Sequence, residues 1–284
     1  MTSNILIAIK NLIENPVVTL TAHYSGKNRV NGIGNALEVY IKDLFANTFL
    51  YEDEYSKLDA YNKTFSYTGN QNNPPDIILK NGDAIEVKKL QGNTNALPLN
   101  SSYPKNKLYS KSKMITSKCK NCENWDEKDI IYIVGNTSNS DLKELWFVYG
   151  DCCAANSDIY ENTKNKVIAG INSIEDIELT KTNELGRVKR VDPLGITDLR
   201  IRGMWTMHHP KKVFAYLPKQ NISSNFQFYC VIKTEKFEQF PKKDKNGLYS
   251  LVNYKNFFIH DVHIKNPNNP ADLIQAKFME FYYG

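Results

Sequence analysis

Hydrophobic residues three or four positions apart, the spacing of one helix face, predict three helices. The first covers residues 5–13, where Lys10 interrupts the apolar run too early for a secretion signal. The second runs from about Gly32 to Phe45, with an apolar stripe that begins at Ile33. The third lies within residues 156–176.

Short apolar runs between turn residues predict strands. Asn81-Gly82 joins the runs 76–79 and 84–89, and Asn-Gly between two β-rich runs is a strong hairpin signal. Residues 51–73 are polar and predict a strand edge and then a loop that ends at Pro74-Pro75. Four further runs have the composition of strands, the first two dense enough to be buried on both faces: 129–136, 144–151, 211–218 and 226–237.

The order of these elements favours an α/β fold. We expect a central mixed β-sheet flanked by helices, with a β-rich extension towards the C-terminus from about residue 184. A chain of 284 residues that is 41% hydrophobic suffices for one large domain. No apolar run is long enough to span a membrane.

The net charge of +5 is modest but unevenly distributed. Residues 101–120 contain six lysines and no acid, and residues 187–212 contain seven basic residues against Asp192 and Asp198. Such patches suit a polyanion, because each neutralised phosphate releases counterions. A pair of solvated basic faces explains the charge alone equally well.

The five cysteines are an odd number in a chain without a secretion signal, which favours a reducing, cytoplasmic location. Cys119 and Cys122 have metal-ligand spacing, and Cys152-Cys153 follow. Zinc is one interpretation, but the usual second CxxC is missing and adjacent cysteines chelate awkwardly. Buried structural cysteines are the simpler prediction.

Charged residues on the predicted hairpin are the main chemical signal. Side chains alternate along a strand, so Glu86 and Lys88 share one face, and the hairpin returns Asp76 beside them. Two adjacent carboxylates repel unless a cation lies between them, and Mg²⁺ takes one or two carboxylates together with substrate phosphate. Lys88 is placed to activate a water or to stabilise charge on a phosphate. The alternative is an ordinary hairpin with a surface Glu–Lys pair.

Pro75-Asp76, nine intervening residues and Glu86-Val87-Lys88 resemble the PD-(D/E)XK motif of a nuclease superfamily. This resemblance implies a restriction-endonuclease-like core in which Asp76 and Glu86 are metal ligands and Lys88 is the catalytic lysine. Many members add a glutamate from a preceding helix, and Glu38 lies where that residue is expected.

Longer segments look like the NgoPII-type family of type II restriction endonucleases, and the resemblance covers most of residues 1–215. The segments are "SGKNRVNGIGNALEVYIKDLF", "LNSSYPKNKL", "LWFVYGDCCAA" and "VDPLGITDLRIRGMW". The resemblance implies Mg²⁺-dependent cleavage of double-stranded DNA at a short palindrome, described as GGCC for enzymes of that type, with 5′-phosphate products. It also implies a homodimer and a partner DNA methyltransferase that protects the host.

Within a single domain, we expect a catalytic core over residues 28–155 and a DNA-recognition or dimerisation region over about 184–284. Arginine can bond guanine O6 and N7 together, and lysines suit phosphates. The candidate DNA contacts are Arg187, Lys189, Arg190, Arg200, Arg202, His208 and His209, with a phosphate clamp of Ser101, Ser102, Lys105 and Lys107. Tyr103 and Tyr109 are predicted to be core residues.

Three other functions fit parts of the pattern. A repair or junction-resolving nuclease of the same superfamily would cut according to DNA structure rather than sequence. A DNA-binding protein without catalysis would retain the hairpin but not its chemistry, which the intact acidic and basic set disfavours. An RNA-binding module is disfavoured because neither an RNP-like run nor a spaced aromatic platform is present.

Overall fold

The computed structural model describes most of the chain. The described residues are 3–20, 33–70, 73–92, 96–112, 114–138, 141–180, 182, 184–252, 254 and 256–284. The predicted helix start at Gly32, the core boundary at residue 28, the whole of residues 25–32 and Lys113 therefore lie outside the described residues. The side chain of Ile33 is likewise outside them.

The helices are α1 Ile5–Glu14, α2 Ile33–Ala46, α3 Glu54–Thr64, α4 Ser117–Lys120, α5 Gly150–Cys153, α6 Ser157–Asn172, α7 Pro210–Val213, α8 Thr234–Glu238 and α9 Lys242–Tyr249. The strands of the first half are β1 Phe65–Asn70, β2 Asn73–Leu79, β3 Ala84–Gln91, β4 Ala96–Asn100, β5 Lys107–Tyr109, β6 Glu127–Ser138 and β7 Asp141–Tyr149. The remaining strands are β8 Glu178–Leu179, β9 Gly186–Lys189, β10 Leu199–Ile201, β11 Trp205–His208, β12 Phe226–Lys233, β13 Phe257–Lys265 and β14 Leu273–Tyr283.

The largest sheet has the strand order β1-β2-β3-β6-β7-β12-β14-β13, with β5 paired to the beginning of β6. It is mixed: β3 pairs parallel to β6 and β12 parallel to β7, whereas the other neighbours along this order are antiparallel. Two small sheets accompany it, β10-β9-β8 and β11-β4. The C-terminal strands β12, β13 and β14 thus extend the same sheet that carries the hairpin.

The core lies where helices cover this sheet. The Asn4 side chain caps α1 by accepting hydrogen bonds from the Leu6 and Ile7 backbone N–H groups. The apolar faces of α1 and α2 are buried, and aromatic residues of β7 such as Trp146 and Phe147 are fully enclosed. The predicted α/β class, a central mixed sheet flanked by helices, is confirmed. Among the described residues, no helix is long and apolar enough to cross a membrane.

The prediction for residues 51–73 was correct for an edge strand, which is β1, but it missed a helix, and β2 begins at Asn73, where a loop was predicted. A helix, α3, occupies much of this polar segment, and β1 follows it directly. The helix has no buried residue, and its sequence therefore lacks the apolar stripe from which a helix is predicted. Its cap is Asp53, and Lys57 and Tyr61 attach it to the buried Asp43 carboxylate of α2.

The strand predicted over residues 211–218 was also wrong. His209 accepts a hydrogen bond from the Lys211 N–H and Pro210 occupies the first helical turn, so a short helix, α7, forms there. The strand predicted over 226–237 is correct as far as Lys233, where β12 ends and α8 begins. The predicted hairpin, the two buried strands and the three predicted helices are present.

Candidate active site

The hairpin of β2 and β3 brings the two predicted carboxylates together. Ile77 lies opposite Ile85 in the antiparallel register. Asp76, the residue before Ile77, is therefore close to Glu86, the residue after Ile85. The Val87 N–H donates a hydrogen bond of 2.7 Å to Asp76 Oδ2. The backbone therefore fixes the Asp76 carboxylate beside the strand that carries Glu86.

Lys88 lies on the same face as Glu86, as the alternation of side chains predicts. Its Nζ is 2.7 Å from Glu86 Oε1. The other oxygen of that carboxylate, Oε2, is buried and has no hydrogen-bond partner among the residues that the structure describes. A buried carboxylate oxygen without a donor is energetically costly, and a bound cation would satisfy it.

The electrostatics of the site also favour a cation. Burial, and then the negative charge of Glu86, raise the pKa of Asp76 to about 7. Burial opposes the charge of the Lys88 ammonium, but the carboxylates of Glu86, Asp76 and Glu38 outweigh it and raise the pKa of Lys88. Excess negative charge therefore gathers at this end of the hairpin.

Glu38 is on α2, near enough to act electrostatically on both Asp76 and Lys88. In the described part of the chain, however, no three His, Cys, Asp or Glu side chains come together closely enough to form a metal cluster. The arrangement thus brings together Asp76, Glu86 and Lys88 and leaves Glu38 outside that set. Two mutually repelling carboxylates with one unsatisfied oxygen fit a hard divalent cation that takes its remaining ligands from water and substrate.

Asp76, Glu86 and Lys88 line a cavity of about 630 Å³, which we call the catalytic cavity. Four candidate DNA contacts line it too: Ser101, Ser102, Lys105 and Arg202. The antiparallel pairing of β11 with β4 places Trp205 opposite Asn100, so the segment before Trp205 lies beside the segment that follows Asn100. Segments that are remote in the sequence, around residues 76–88, 100–105 and 202–204, therefore meet at one cavity.

The chain as a whole matches one family of known proteins. A family model described as NgoPII restriction endonuclease matches residues 3–265.

The chain belongs to the NgoPII restriction endonuclease family.

A curated relative, the type II restriction enzyme NgoPII of Neisseria gonorrhoeae, is 46% identical over 280 residues, which cover 98% of this chain and 99% of that protein. No solved structure matches. The predicted family and enzyme class are confirmed: the protein is a restriction endonuclease, a site-specific deoxyribonuclease. Type II restriction endonucleases generally use divalent metal ions, which agrees with the carboxylate pair at the hairpin.

A second and larger cavity of this NgoPII-family endonuclease adjoins the first. It has a volume of about 1300 Å³ and shares Tyr103, Lys105 and Met114 with the catalytic cavity. We call it the basic groove, because five lysines line it: Lys105, Lys107, Lys111, Lys120 and Lys164. Glu161 and Glu184 also line it, so its charge is positive but not uniformly so.

The four predicted arginines form ion pairs with nearby acids. Arg187 binds Asp198, Arg190 binds Glu178, and both Arg200 and Arg202 bind Glu184. These pairs are solvent-exposed, where an ion pair contributes about 0–1 kcal/mol. The cost of exchanging an acidic partner for a phosphate or a base edge is therefore small. Lys189 is exposed on β9.

The two adjacent histidines have different environments. His208 is exposed on β11. His209 is only 4% exposed, and its Nδ1 accepts the Lys211 N–H at the start of α7. Because the ring is buried and acts as a helix cap, we omit His209 from the proposed DNA contacts.

Several residues near the site carried no sequence signal. Tyr132 lines the catalytic cavity and accepts the Lys105 backbone N–H at 2.8 Å, and Tyr160 stacks on Tyr103. The pairing of each arginine with its acidic partner could not be predicted either, because it depends on how the strands and loops meet. The prediction that Tyr109 is a core residue was wrong, because it is 41% exposed.

The thiols of Cys119, Cys122, Cys152 and Cys153 are free. Burial raises the pKa of Cys119 to about 12 and that of Cys153 likewise to about 12. Thiols of such high pKa remain protonated at neutral pH and pack as small apolar groups.

Proposed function

We propose that this chain is a type II restriction endonuclease that cleaves both strands of duplex DNA at a short palindromic site and requires Mg²⁺. The observation that carries the proposal is the pairing of Asp76 with Glu86 beside Lys88 at the wall of the catalytic cavity. The adjoining basic groove supports DNA as the occupant, since a duplex presents closely spaced phosphates.

Asp76 and Glu86 are the proposed metal ligands, and Glu38 is an additional candidate that acts on them from α2. When bound, Mg²⁺ supplies positive charge that offsets the negative charge of the two carboxylates and of the reacting phosphate. Glu86 orients the Lys88 ammonium through their 2.7 Å contact. Lys88 then stabilises the phosphate as negative charge develops in the transition state.

The proposed reaction is hydrolysis of one phosphodiester bond in each strand. A water oxygen attacks phosphorus and gives up a proton to the solvent, the bond from phosphorus to the 3′ oxygen breaks, and the departing oxygen takes up a proton from the solvent. The products carry a 5′-phosphate and a 3′-hydroxyl group. Enclosure of the phosphate in a cavity strengthens each electrostatic contact, because water is excluded.

The remaining candidate residues are proposed to hold and read the duplex. The four residues of the predicted phosphate clamp line one or both cavities and are proposed to bind phosphates: Ser101 and Ser102 in the catalytic cavity, Lys107 in the basic groove, and Lys105 in both. The exposed basic residues of the 187–208 segment are proposed to exchange their present partners for DNA: Arg187, Lys189, Arg190, Arg200, Arg202 and His208. Arg202 is closest to the chemistry, since it lines the catalytic cavity.

A palindromic site implies a two-fold symmetric reader, so we propose that the active protein is a homodimer with one catalytic cavity for each strand. GGCC is the proposed target, by the resemblance of this sequence to enzymes described as cutting it. A DNA methyltransferase of matching specificity is the proposed functional partner, because an unprotected host genome would be cut.

The test is digestion of unmodified phage DNA with Mg²⁺, with and without EDTA. Discrete fragments that disappear in EDTA, and whose sequenced ends share one palindrome, are expected. The proposal is wrong if wild-type protein gives no cleavage, a smear, or nicks that follow DNA structure rather than sequence. Ends at a palindrome other than GGCC would overturn the target alone.

A further inference from the structure

Lys105 differs from the other lysines near the catalytic cavity. It is only 7% exposed, yet it lines both the catalytic cavity and the basic groove. Lysine is rarely buried to this extent without an ionic partner. Among the described residues, no carboxylate is within ion-pair distance of its Nζ, whereas Lys88 is paired with Glu86 and Lys107 with Glu127.

The contact that Lys105 does make is with an aromatic ring. Its Nζ lies 4.5 Å from the centre of the Tyr103 ring. Tyr103 is itself fixed, because its hydroxyl donates to Glu161 at 2.7 Å and its ring stacks on Tyr160 and meets the edge of Trp205. The ring orients the ammonium but leaves it without a carboxylate partner in the described part of the chain.

The backbone of Lys105 is fixed by contacts on both its N–H and its carbonyl group. Its N–H donates to the Tyr132 hydroxyl at 2.8 Å. Its carbonyl oxygen packs so closely on Gly150 that a Cβ at that position would collide with it. The ammonium is therefore positioned before any ligand arrives, which is the condition under which a charge stabilises a transition state without reorganisation.

A phosphate in the catalytic cavity would lie near the Asp76 and Glu86 carboxylates, which repel it. The cavity supplies three cationic side chains, of which Lys88 already contacts Glu86 and Arg202 already contacts Glu184. Lys105 is the cation here whose charge no carboxylate contacts within the described residues. Burial lowers the pKa of Lys105 to about 8, against the smaller opposing influence of Glu86 and Glu161, and an anion at Nζ would restore it.

We propose that the Lys105 ammonium binds the phosphate that is cut, so that the reaction uses two catalytic lysines, Lys88 and Lys105, rather than one. This assignment rests on the proposed nuclease function. It separates Lys105 from the other candidates of the phosphate clamp, which would bind the duplex without contacting the reacting phosphate. The occupant that its chemistry requires is a phosphodiester, the anion that DNA brings to this cavity.

The test compares wild-type protein with Lys105→Met, which keeps the length and apolar stem of the side chain but removes the charge. Single-turnover cleavage by a saturating amount of protein is expected to slow by about 10²–10³-fold, the range for loss of one transition-state donor. Lys243→Met is the matched control, since Lys243 is exposed and lines neither cavity. It is expected to cut at the wild-type rate.

A second measurement separates contact with the phosphate from a structural role. Duplexes with a neutral methylphosphonate at the scissile position are bound in EDTA by wild-type protein and by Lys105→Met. The difference in Kd seen with normal DNA is expected to disappear with the neutral position and to persist when the substitution is moved several nucleotides away. A difference that is equal for all duplexes would overturn the assignment.

The outcomes distinguish the two proposals. If wild-type protein cuts but Lys105→Met cuts equally fast, the role of Lys105 is wrong and the nuclease function stands. If wild-type protein fails to cut any unmodified DNA, the proposed function itself fails. Melting of each variant verifies that it is folded, and Lys105→Gln replaces the methionine variant if that one is not.

Discussion

Replacement of Lys105 by methionine is expected to make the protein more stable even though it removes a functional group. The reason is the burial of the Lys105 charge, which lines the cavities at 7% exposure without a carboxylate partner among the described residues. Folding carries this ammonium out of water, and the cost appears as the lowered pKa. Methionine fills the same space without a charge.

The size of the effect follows from the pKa. Lowering the pKa of Lys105 from its ordinary 10.5 to about 8 costs about 3 kcal/mol in free energy of unfolding, at about 1.4 kcal/mol for each tenfold change in proton affinity. Loss of the cation–π contact with Tyr103 offsets about 1–2 kcal/mol of the gain. The expected net stabilisation of Lys105→Met is about 1–2 kcal/mol, or roughly 2–6 °C in Tm.

The lowered pKa of Lys105 also predicts how the stability difference between wild type and Lys105→Met changes with pH. Below pH 8 the lysine is charged in both the folded and the unfolded chain, so the whole cost is present. Between pH 8 and 10.5 the folded chain has lost the proton and the unfolded chain still binds it, so wild-type stability rises with pH. The advantage of Lys105→Met should therefore be largest at neutral pH and shrink as pH rises through this window.

Thermal or denaturant unfolding of wild-type protein, Lys105→Met and Lys243→Met at pH 7 and at pH 9.5 measures the effect. The control is expected to match wild type at both values. A methionine variant that is less stable than wild type at pH 7, or whose gain is the same at both pH values, would refute the account of a strained buried charge.

Three further predictions concern the hairpin and its surroundings. Lys88→Ala should bind duplex DNA with near-normal Kd but cut at least about 10²-fold more slowly, since the lost contact stabilises the transition state; binding and single-turnover assays check this. Asp76→Asn should raise the Mg²⁺ concentration needed for half-maximal cleavage and lower the maximal rate, and an unchanged Mg²⁺ titration would exclude Asp76 as a ligand. Gly150→Ala should destabilise the fold by about 1–3 kcal/mol and slow cleavage, because its methyl group displaces the Lys105 and Asn106 carbonyls; a wild-type Tm would contradict this.

The parts of the molecule that the sequence predicts correctly are those governed by local rules. The Asn81-Gly82 turn and the alternation along β3 depend on neighbouring residues, so the shared face of Glu86 and Lys88 could be predicted. The sequence pattern did not predict the helix α3, because that helix is exposed and is held by contacts to the distant residue Asp43.

Other features depend on contacts between distant segments, which one sequence does not reveal. The pairing of β12 with β7 and β14, far apart in the chain, makes the C-terminal strands part of the central sheet. The same applies to Lys105, whose lysine-rich surroundings suggested a surface cluster. Its burial follows from the meeting of Tyr103, Tyr132 and Gly150 around it.

The ion pairs of the arginine segment are expected, under the proposed function, to affect how the protein searches DNA. Four arginines, Arg187, Arg190, Arg200 and Arg202, are paired with three acids, because Arg200 and Arg202 share Glu184. The segment is therefore expected to attract an arbitrary duplex less strongly than its basic residues suggest. Binding to unrelated sequence is then expected to be loose, and at the target the arginines are expected to exchange these weak, exposed pairs for acceptors on the base edges. Under the proposed function, part of the discrimination between target and bulk DNA is thus built into the unbound state.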